Sequence, residues 1–335
     1  MNHLDLGLDK GRSKTNLAVA RADGHVLLEA RIAHFDQLDP QPITESRLLH
    51  LIAQHLTPFK AHPLSLFGGG CFETPRSFFD GLSGDGFDIQ ALEVFTDVHN
   101  HYGLTDMPGN AVMVACGSHW NAMYYDQANN VICFASPCAI WDYLPHSFEG
   151  ITFARFLLAW WCEAWDQGTT LPLANEILAR TGLSAATLRT TVKQDPMLDT
   201  LSPPRWLALG PLISQHANEE PVASFLTQGI SQLQYLYDRF CAQVTPSSPP
   251  WLVLGGSIWS NRLFERAQGA LARSGIPVMH SQGNPARGAI RFRRTHPTVQ
   301  LEPWASRVTR GSSEAQPSCI STLRKEVQLD QTSLS

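Results

Sequence analysis

The first part of the chain alternates short apolar runs with polar turns, a pattern typical of β-strands. Apolar positions alternate over residues 4–8, a polar turn follows at residues 9–15, and an apolar run resumes at residues 17–20. A second turn at residues 22–25 contains Asp-Gly and precedes another apolar run at residues 26–28. This pattern predicts three consecutive strands joined by tight turns.

A helical pattern and two buried strands are predicted next. Residues 44–56 carry leucine and isoleucine at helical spacing, with Thr44 as the expected N-cap. Residues 64–67 and 111–115 are short apolar runs, and each is followed by small residues. These runs are typical of buried strands that lead into loops.

The second half of the chain contains longer helical patterns. Apolar residues recur at helical spacing over residues 153–165 and 225–240, and this spacing predicts that the tryptophans of the first segment pack in the core. A proline- and serine-rich linker at residues 246–250 leads into a strand predicted at residues 251–254. Beyond about residue 300 the chain turns polar and loses periodicity, which predicts a disordered or loosely attached tail. The alternation of strands and helices indicates a mixed α/β protein.

The composition narrows the class of protein. Of 335 residues, 43% are hydrophobic, enough for a sizeable core, and only 16% are charged. A net charge of -5 with 25 Lys and Arg disfavours binding to phosphate backbones, so no nucleic-acid partner is expected. No uncharged apolar stretch of about 18 residues occurs, so no membrane partner is expected. Seven cysteines without a C-x-x-C pair, and no signal-peptide pattern, favour reduced thiols in a cytoplasmic protein.

Three turns rich in small residues follow apolar strands and are the candidate sites for chemistry. They lie at residues 9–15, 115–118 and 255–257. Such turns present backbone N–H groups and hydroxyls without side-chain bulk, as binding of phosphate oxygens requires. The first turn adds Asp9, which can hold a magnesium ion directly or through water, and two lysines that offset phosphate charge. It is not a Walker P-loop, because Ser13 rather than glycine precedes the lysine.

The order of these motifs resembles that of the actin-like ATPase superfamily in its sugar-kinase branch. The closest pattern is that of N-acetylglucosamine kinase and the BadF/BadG/BcrA/BcrD ATPase family. The similar segments, in chain order, are residues 8–15 (first phosphate motif), Phe95-Thr-Asp97 (Asp-containing segment), 112–118 (second phosphate motif), 207–213 (segment before a long helix), 252–258 (adenosine motif) and 284–289 (closing Pro-x-x-Gly-Ala). The similarity extends over about residues 4–292.

The resemblance implies an α/β fold of two ribonuclease-H-like lobes with a nucleotide cleft between them. Residues 1–115 would form the N-terminal lobe, residues 116–300 the C-terminal lobe, and residues 301–335 the tail. The implied activity is transfer of the γ-phosphate of ATP to a hydroxyl of a sugar or amino sugar, with Mg²⁺ as a cofactor. A homodimer is compatible with the sequence.

The resemblance also implies roles for individual residues. Asp97 matches the general base of the family kinases, a task that a carboxylate in a partly dry cleft suits because desolvation raises its pKa. Asp9 would orient magnesium. The implied nucleotide-binding set is Asp9, Lys10, Gly11, Arg12, Ser13, Lys14, Gly117, Ser118, Gly255, Gly256 and Ser257.

Departures from the family pattern leave a second function open. Lys10 and Arg12 stand where the family has glycines, Cys116 replaces the threonine of the second motif, and the sugar-lining motifs are barely recognisable. A shifted substrate would produce such changes. So would a nucleotide-binding ATPase relative with a regulatory or structural role, in which phosphotransfer is weakened or lost.

The segment Asp97-Val-His-Asn-His101 allows two other interpretations. On a strand, His99 and His101 would share one face and could begin a zinc site with Asp97 and His119, making the protein a metal-dependent hydrolase. Asp97 alone, ahead of a predicted helix, could instead be an ordinary N-cap.

Overall fold

The structure is a computed structural model of the chain. It describes residues 2–11, 13–35, 43–70, 75–117, 120–126, 131–135, 148–169, 172–194, 203–296 and 306–309. The described residues form two β-sheets with helices packed against and between them. None of the helices described is long and apolar enough to cross a membrane.

The first sheet is built mainly from the N-terminal part of the chain. Its described strands are β1 Leu4–Lys10, β2 Lys14–Arg21, β3 Val26–Ala33, β4 Leu64–Gly70, β5 Ile89–Phe95 and, from the far end of the chain, β11 Ser306–Thr309. They are arranged in the order β11-β5-β4-β1-β2-β3. β2 pairs antiparallel with β1 on one side and with β3 on the other, whereas β1, β4 and β5 run parallel.

The second sheet repeats this arrangement. Its described strands are β6 Asn110–Cys116, β7 Trp120–Asp126, β8 Val131–Ala135, β9 Trp251–Gly255 and β10 Val278–His280, in the order β10-β9-β6-β7-β8. β6, β7 and β8 form an antiparallel meander, and β9 and β10 continue from β6 in parallel. The strands β6 to β10 therefore match β1 to β5 in order and direction, a duplication that is not visible as a sequence repeat.

Helices cover the outer face of each sheet. On the first sheet these are α1 Glu45–Leu56 and α2 Pro75–Gly84. On the second they are α4 Gly150–Asp166, α5 Pro172–Thr181, α6 Ala185–Gln194, α7 Pro203–Leu207, α8 Gly210–Gln215, α9 Val222–Val244 and α10 Asn261–Arg273. Trp161 of α4 is fully buried, which confirms the predicted core role, whereas Trp165 near the end of α4 is exposed.

The local sequence explains where several elements begin. Thr44 caps α1 as predicted, because its hydroxyl accepts a hydrogen bond of 3.2 Å from the backbone N–H of Arg47. The apolar stripe of α1 is buried against the first sheet through Leu48, Ile52 and Leu56. β4 continues through its three glycines, which the pattern predicted as a loop.

Two further helices, α3 Asp97–Tyr102 and α11 Pro285–Thr295, lie between the two sheets. Their backbones approach each other closely at glycines. A Cβ added at Gly103 would overlap the carbonyl oxygen of Gly288, and a Cβ at Gly288 would overlap that of Asn100. The absence of side chains at these positions lets α3 and α11 pack backbone to backbone.

The two sheets define the lobes differently from the predicted boundary at residues 115 and 116. Asn110 already begins a strand of the second sheet, so a boundary at residue 115 would divide β6. In the segment predicted as a tail, residues 306–309 form β11, which pairs antiparallel with β5. The rest of that segment lies outside the described residues.

Candidate active site

A cavity of about 570 Å³ opens between the two sheets. It is lined by the β1–β2 turn and by β3, by α3, by the ends of β6 and β9, and by the loop after β10. Charged side chains from the first sheet and α3 reach it: Asp9, Lys14, Glu29, Arg31 and Asp97. A cavity of this size is in the range of small-molecule and cofactor sites.

Asp9 is the next-to-last residue of β1, and its carboxylate faces the cavity, where two neutral amides hold it. The side-chain amide of Asn16, directly across from Asp9 on β2, donates to Oδ2 at 2.8 Å. The amide of Asn100 on α3 donates to Oδ1 at 2.9 Å. Both carboxylate oxygens are therefore fixed in position without a cation in the hydrogen bonds.

Asp97 is the first residue of α3, and its carboxylate lines the same cavity. Burial, and then the negative charge of Asp9, raise the pKa of Asp97 to about 6. A hydrogen bond of 2.9 Å from the side-chain amide of Asn121 on β7 partly opposes this rise. The N-cap position of α3 is occupied by Thr96 and not by Asp97, but backbone hydrogen bonds at the start of the helix also reach the Asp97 carboxylate and act to lower its pKa.

The β1–β2 turn brings a hydroxyl and an ammonium group to the cavity. Ser13 and Lys14 both line it, and burial is the main cause that lowers the pKa of Lys14. Lys10 is absent from the cavity lining, because alternation along β1 places its side chain on the sheet face opposite to that of Asp9. Arg12 lies outside the described residues.

The second sheet contributes backbone and small side chains. Gly117, Gly256 and Ser257 line the cavity at the ends of β6 and β9. Gly256 has φ of +104°, and a Cβ there would overlap the carbonyl oxygen of Cys116. Gly255 does not line the cavity, because the His101 ring packs where its side chain would be. Ser118 lies outside the described residues.

A second cavity of about 450 Å³ adjoins the first, since Ser13, Gly117 and Ser257 line both. Its other walls are mainly helical: the start of α4, the end of α7 together with α8, and the region at the start of α10. Gly210 and Pro211 lie in this wall, and both belong to residues 207–213, which resemble the family's segment before a long helix. The combined space therefore extends from the carboxylates into the second lobe.

The two histidines proposed as the start of a zinc site lie on a helix and not on a strand. Two residues apart on α3, they point in different directions. His99 packs against the rings of Phe95 and Phe292, and burial lowers its pKa to about 3. His101 lines the cavity beside Ser281. In the described part of the chain, no group of three potential ligands that could hold a metal ion occurs, and His119 lies outside it.

The structure thus brings together most of the residues chosen from sequence. Those that line the main cavity are Asp9, Gly11, Ser13, Lys14, Asp97, Gly117, Gly256 and Ser257. Sequence reasoning missed Asn16, Asn100 and Asn121, and it considered His101 only as a metal ligand. The position of Asn100, three residues after Asp97 on a predicted helix, was a usable signal for placing it on the same side as Asp97.

The fold is similar to that of several solved sugar-kinase structures. A candidate N-acetylglucosamine kinase from Porphyromonas gingivalis is similar with a TM-score of 0.63 and 17% identity, covering 88% of this chain and 99% of that one. A second candidate N-acetylglucosamine kinase, from Chromobacterium violaceum, has a TM-score of 0.59 and 18% identity, covering 86% and 98%.

A ROK family glucokinase from Streptomyces griseus, in complex with glucose and AMPPNP, has a TM-score of 0.55 and 14% identity, covering 87% of this chain and 98% of that one. No protein-family model matches the chain, and no curated protein matches it in sequence. At these identities the likeness shows the fold.

The residues of the cavity fit a nucleotide and a divalent cation. Because a Cβ at Gly256 would overlap the carbonyl oxygen of Cys116, glycine at this position lets the chain after β9 pack against the end of β6, and both segments line the cavity. Each oxygen of the Asp9 carboxylate accepts one hydrogen bond from a side-chain amide. Each oxygen therefore keeps a lone pair that suits a hard cation such as Mg²⁺.

Proposed function

We propose that the protein is an ATP-dependent kinase that transfers the γ-phosphate to a hydroxyl of a sugar or amino sugar. The observation that supports this most directly is the pair of carboxylates, Asp9 and Asp97, in one cavity of a sugar-kinase fold. The two differ in environment: amides hold Asp9 from both sides, whereas burial raises the pKa of Asp97 to about 6. Such a division of roles between carboxylates suits general acid–base catalysis.

In the proposed mechanism, Asp97 accepts the proton of the substrate hydroxyl as that oxygen bonds to the γ-phosphorus, while the bond from this phosphorus to the β–γ bridging oxygen breaks and ADP leaves. A pKa of about 6 leaves Asp97 ionised at neutral pH yet basic enough to take the proton. Asn121 holds the carboxylate in place through its hydrogen bond of 2.9 Å. The acceptor sugar would lie in the part of the main cavity between Asp97 and the first sheet.

The nucleotide would occupy both cavities. Ser13, Lys14 and the backbone at Gly117 and Gly256 would contact the phosphates, and the adjoining cavity of about 450 Å³ would take the adenosine. ATP would supply the phosphoryl group, and Asp9 would hold a Mg²⁺ ion that offsets phosphate charge. The chain's contribution is then mostly to position the groups and to exclude water.

The decisive experiment combines binding with turnover. We expect calorimetry to detect MgATP binding, and we expect ADP release with at least one member of a panel of hexoses and N-acetylhexosamines. Asp97→Asn should lower kcat/KM by about 10²- to 10⁴-fold while MgATP binding is retained. Asp85→Asn, at an exposed position, is the matched control and should behave as wild type.

Other outcomes separate the remaining possibilities. Binding of MgATP without ADP release on any sugar would favour the nucleotide-binding relative that lacks phosphotransfer. Absence of nucleotide binding would contradict both.

The free cysteines among the described residues, Cys116, Cys162 and Cys241, are consistent with our further proposal of a reducing, cytoplasmic location.

A further inference from the structure

Asn100 is a buried polar residue in the contact between α3 and β1. Its side chain is fully buried, and its amide nitrogen lies 2.9 Å from Oδ1 of Asp9 and 3.5 Å from the carbonyl oxygen of Leu8. The same helix carries Asp97 one turn earlier. Asn100 therefore joins the helix that carries the proposed base to the strand that carries Asp9.

Glycines make room for Asn100 on two sides. A Cβ at Gly69 of β4 would lie 2.8 Å from the side-chain amide nitrogen of Asn100. A Cβ at Gly288 of α11 would overlap the backbone carbonyl oxygen of Asn100. Neither glycine has a positive φ, so close approach and not backbone conformation accounts for them. The two glycines therefore let the backbone of α3 lie close to β4 and α11, and Gly69 also leaves space for the Asn100 amide.

Stability alone does not explain an asparagine at this position. The side-chain oxygen of Asn100 is buried and has no hydrogen-bond partner. A buried acceptor without a partner costs free energy, and an apolar side chain of similar size would avoid that cost. A residue that is costly for stability, and that contacts a carboxylate in the cavity, points to a functional role.

The chemistry of the donor is informative. An amide fixes a carboxylate oxygen without adding positive charge, whereas lysine or arginine at this position would neutralise Asp9 and compete with a bound cation. With Asn16 on the other oxygen at 2.8 Å, Asp9 is fixed in orientation by two neutral donors. This is the arrangement expected of a residue that does not bind the metal itself but orients a carboxylate that does.

We propose that Asn100 is a positioning residue, which orients the Asp9 carboxylate toward the divalent cation that accompanies the nucleotide. The inference rests on the proposed nucleotide-binding function. It differs from a purely structural role, in which Asn100 would only tie α3 to β1.

The test compares ADP binding with and without the cation, by calorimetry in Mg²⁺ and in excess chelator. For wild type we expect Mg²⁺ to strengthen ADP binding. For Asn100→Ala we expect the affinity in chelator to stay within about twofold, while the strengthening by Mg²⁺ falls about tenfold. Asn16→Ala, which removes the other donor, should show the same signature and serves if Asn100→Ala does not fold.

His99→Leu is the matched control. It alters a buried polar residue on the same helix, but His99 faces Phe95 and Phe292 and not Asp9. It should leave the effect of Mg²⁺ unchanged even if it lowers stability. An equal loss of Mg²⁺ strengthening in His99→Leu, or equal weakening with and without Mg²⁺ in Asn100→Ala, would overturn the proposal.

The outcome is separable from that of the proposed kinase activity. If wild type binds MgADP but phosphorylates no sugar, the kinase assignment fails, and the predicted signature in Asn100→Ala still supports the positioning role. If wild type binds ADP equally with and without Mg²⁺, the positioning role is overturned, even where sugar phosphorylation is observed. If wild type binds no nucleotide, both are overturned.

Discussion

At the scale of single residues, the cleft depends on two carboxylates held by three asparagines. Asn16 and Asn100 fix Asp9, and Asn121 holds Asp97. The charge of Asp9 contributes to the raised pKa of Asp97, so the two groups are electrostatically coupled as well as neighbours in the cavity. This coupling gives the site two properties that can be measured independently: a pH dependence of catalysis and a pH dependence of stability.

The first prediction concerns the pH dependence of catalysis. A general base must be ionised, and the pKa of Asp97 is about 6 in the folded protein. The value of kcat/KM should therefore fall about tenfold per pH unit below pH 6 and level off above about pH 7. Initial rates between pH 4.5 and 8.5 provide the check. A flat profile down to pH 4.5 would mean that Asp97 is not the base.

The second prediction concerns stability. The pKa of Asp97 rises from 3.8 to about 6 on folding, so the folded protein binds the proton more tightly and loses stability as pH rises between these values. Asp97→Asn removes that penalty, and its free energy of unfolding should exceed wild type by about 1–3 kcal/mol at pH 8. The gain should vanish below about pH 4.

Urea unfolding of both proteins at pH 8 and pH 4 measures the difference. Asp85→Asn, at an exposed position, controls for loss of a negative charge in general. A variant that is less stable than wild type at pH 8 would contradict the raised pKa.

Sequence reasoning found the cavity residues that belong to local motifs and missed residues that tertiary contacts bring beside them. Asp9 and Asp97 each belong to a recognisable turn or segment. Asn121 gave no signal, because its contact with Asp97 joins residues that are 24 positions apart. The sequence pattern predicts that the turn starts at Asp9, but β1 continues through Lys10, and this difference explains why Lys10 lies outside the cavity lining.

At the scale of elements, the packing of α3 against α11 controls the geometry of the cleft. α3 carries Asp97 and Asn100, and α11 supports it through backbone contact at Gly103 and Gly288. The six-residue helix α3 is too short to show a helical period, which explains why its two histidines were considered on a strand. The longer helices α1, α4 and α9 were predicted correctly because their apolar stripes span several turns.

The third prediction tests this crossing with two glycine substitutions. Gly288→Ala in α11 should destabilise the protein by about 1–3 kcal/mol, because its Cβ would overlap the backbone of Asn100, which cannot move aside easily. Gly269→Ala in α10 has open space and should stabilise the protein by about 0.5–1 kcal/mol through helix propensity. Urea unfolding measures both, and equal effects would show that the close crossing is not maintained in solution.

At the scale of the whole molecule, the two sheets share a topology but are not independent in sequence. α11 comes late in the described chain, yet it packs on β1, β2 and β4 of the first sheet. β11 then adds to the edge of that sheet beside β5. The N-terminal sheet is therefore completed by C-terminal residues, which the sequence pattern could not show, because pairing between distant segments leaves no local signal.

Charged contacts fix this late helix on the first sheet. Arg293 of α11 forms an ion pair with Glu93 of β5, with Nε 2.6 Å from Oε2, and Glu93 is only 5% exposed. Arg294 pairs with Asp5 of β1, with Nε 2.7 Å from Oδ2. Breaking a buried pair by removing one partner leaves an uncompensated charge, which costs more than removing both partners.

The fourth prediction follows from that asymmetry. Arg293→Met should lower the free energy of unfolding by about 3 kcal/mol, whereas Arg293→Met combined with Glu93→Gln should recover part of the loss. Arg291→Met, at an exposed position on the same helix, should change stability by less than about 0.5 kcal/mol. α11 packs on the first sheet and on α3, so each variant should unfold in one transition in urea. Two signals check this: tryptophan fluorescence, which reports mainly on the second lobe, and far-ultraviolet circular dichroism, which reports on the whole chain. If the two signals separate in Arg293→Met, then α11 does not couple the lobes into one folding unit.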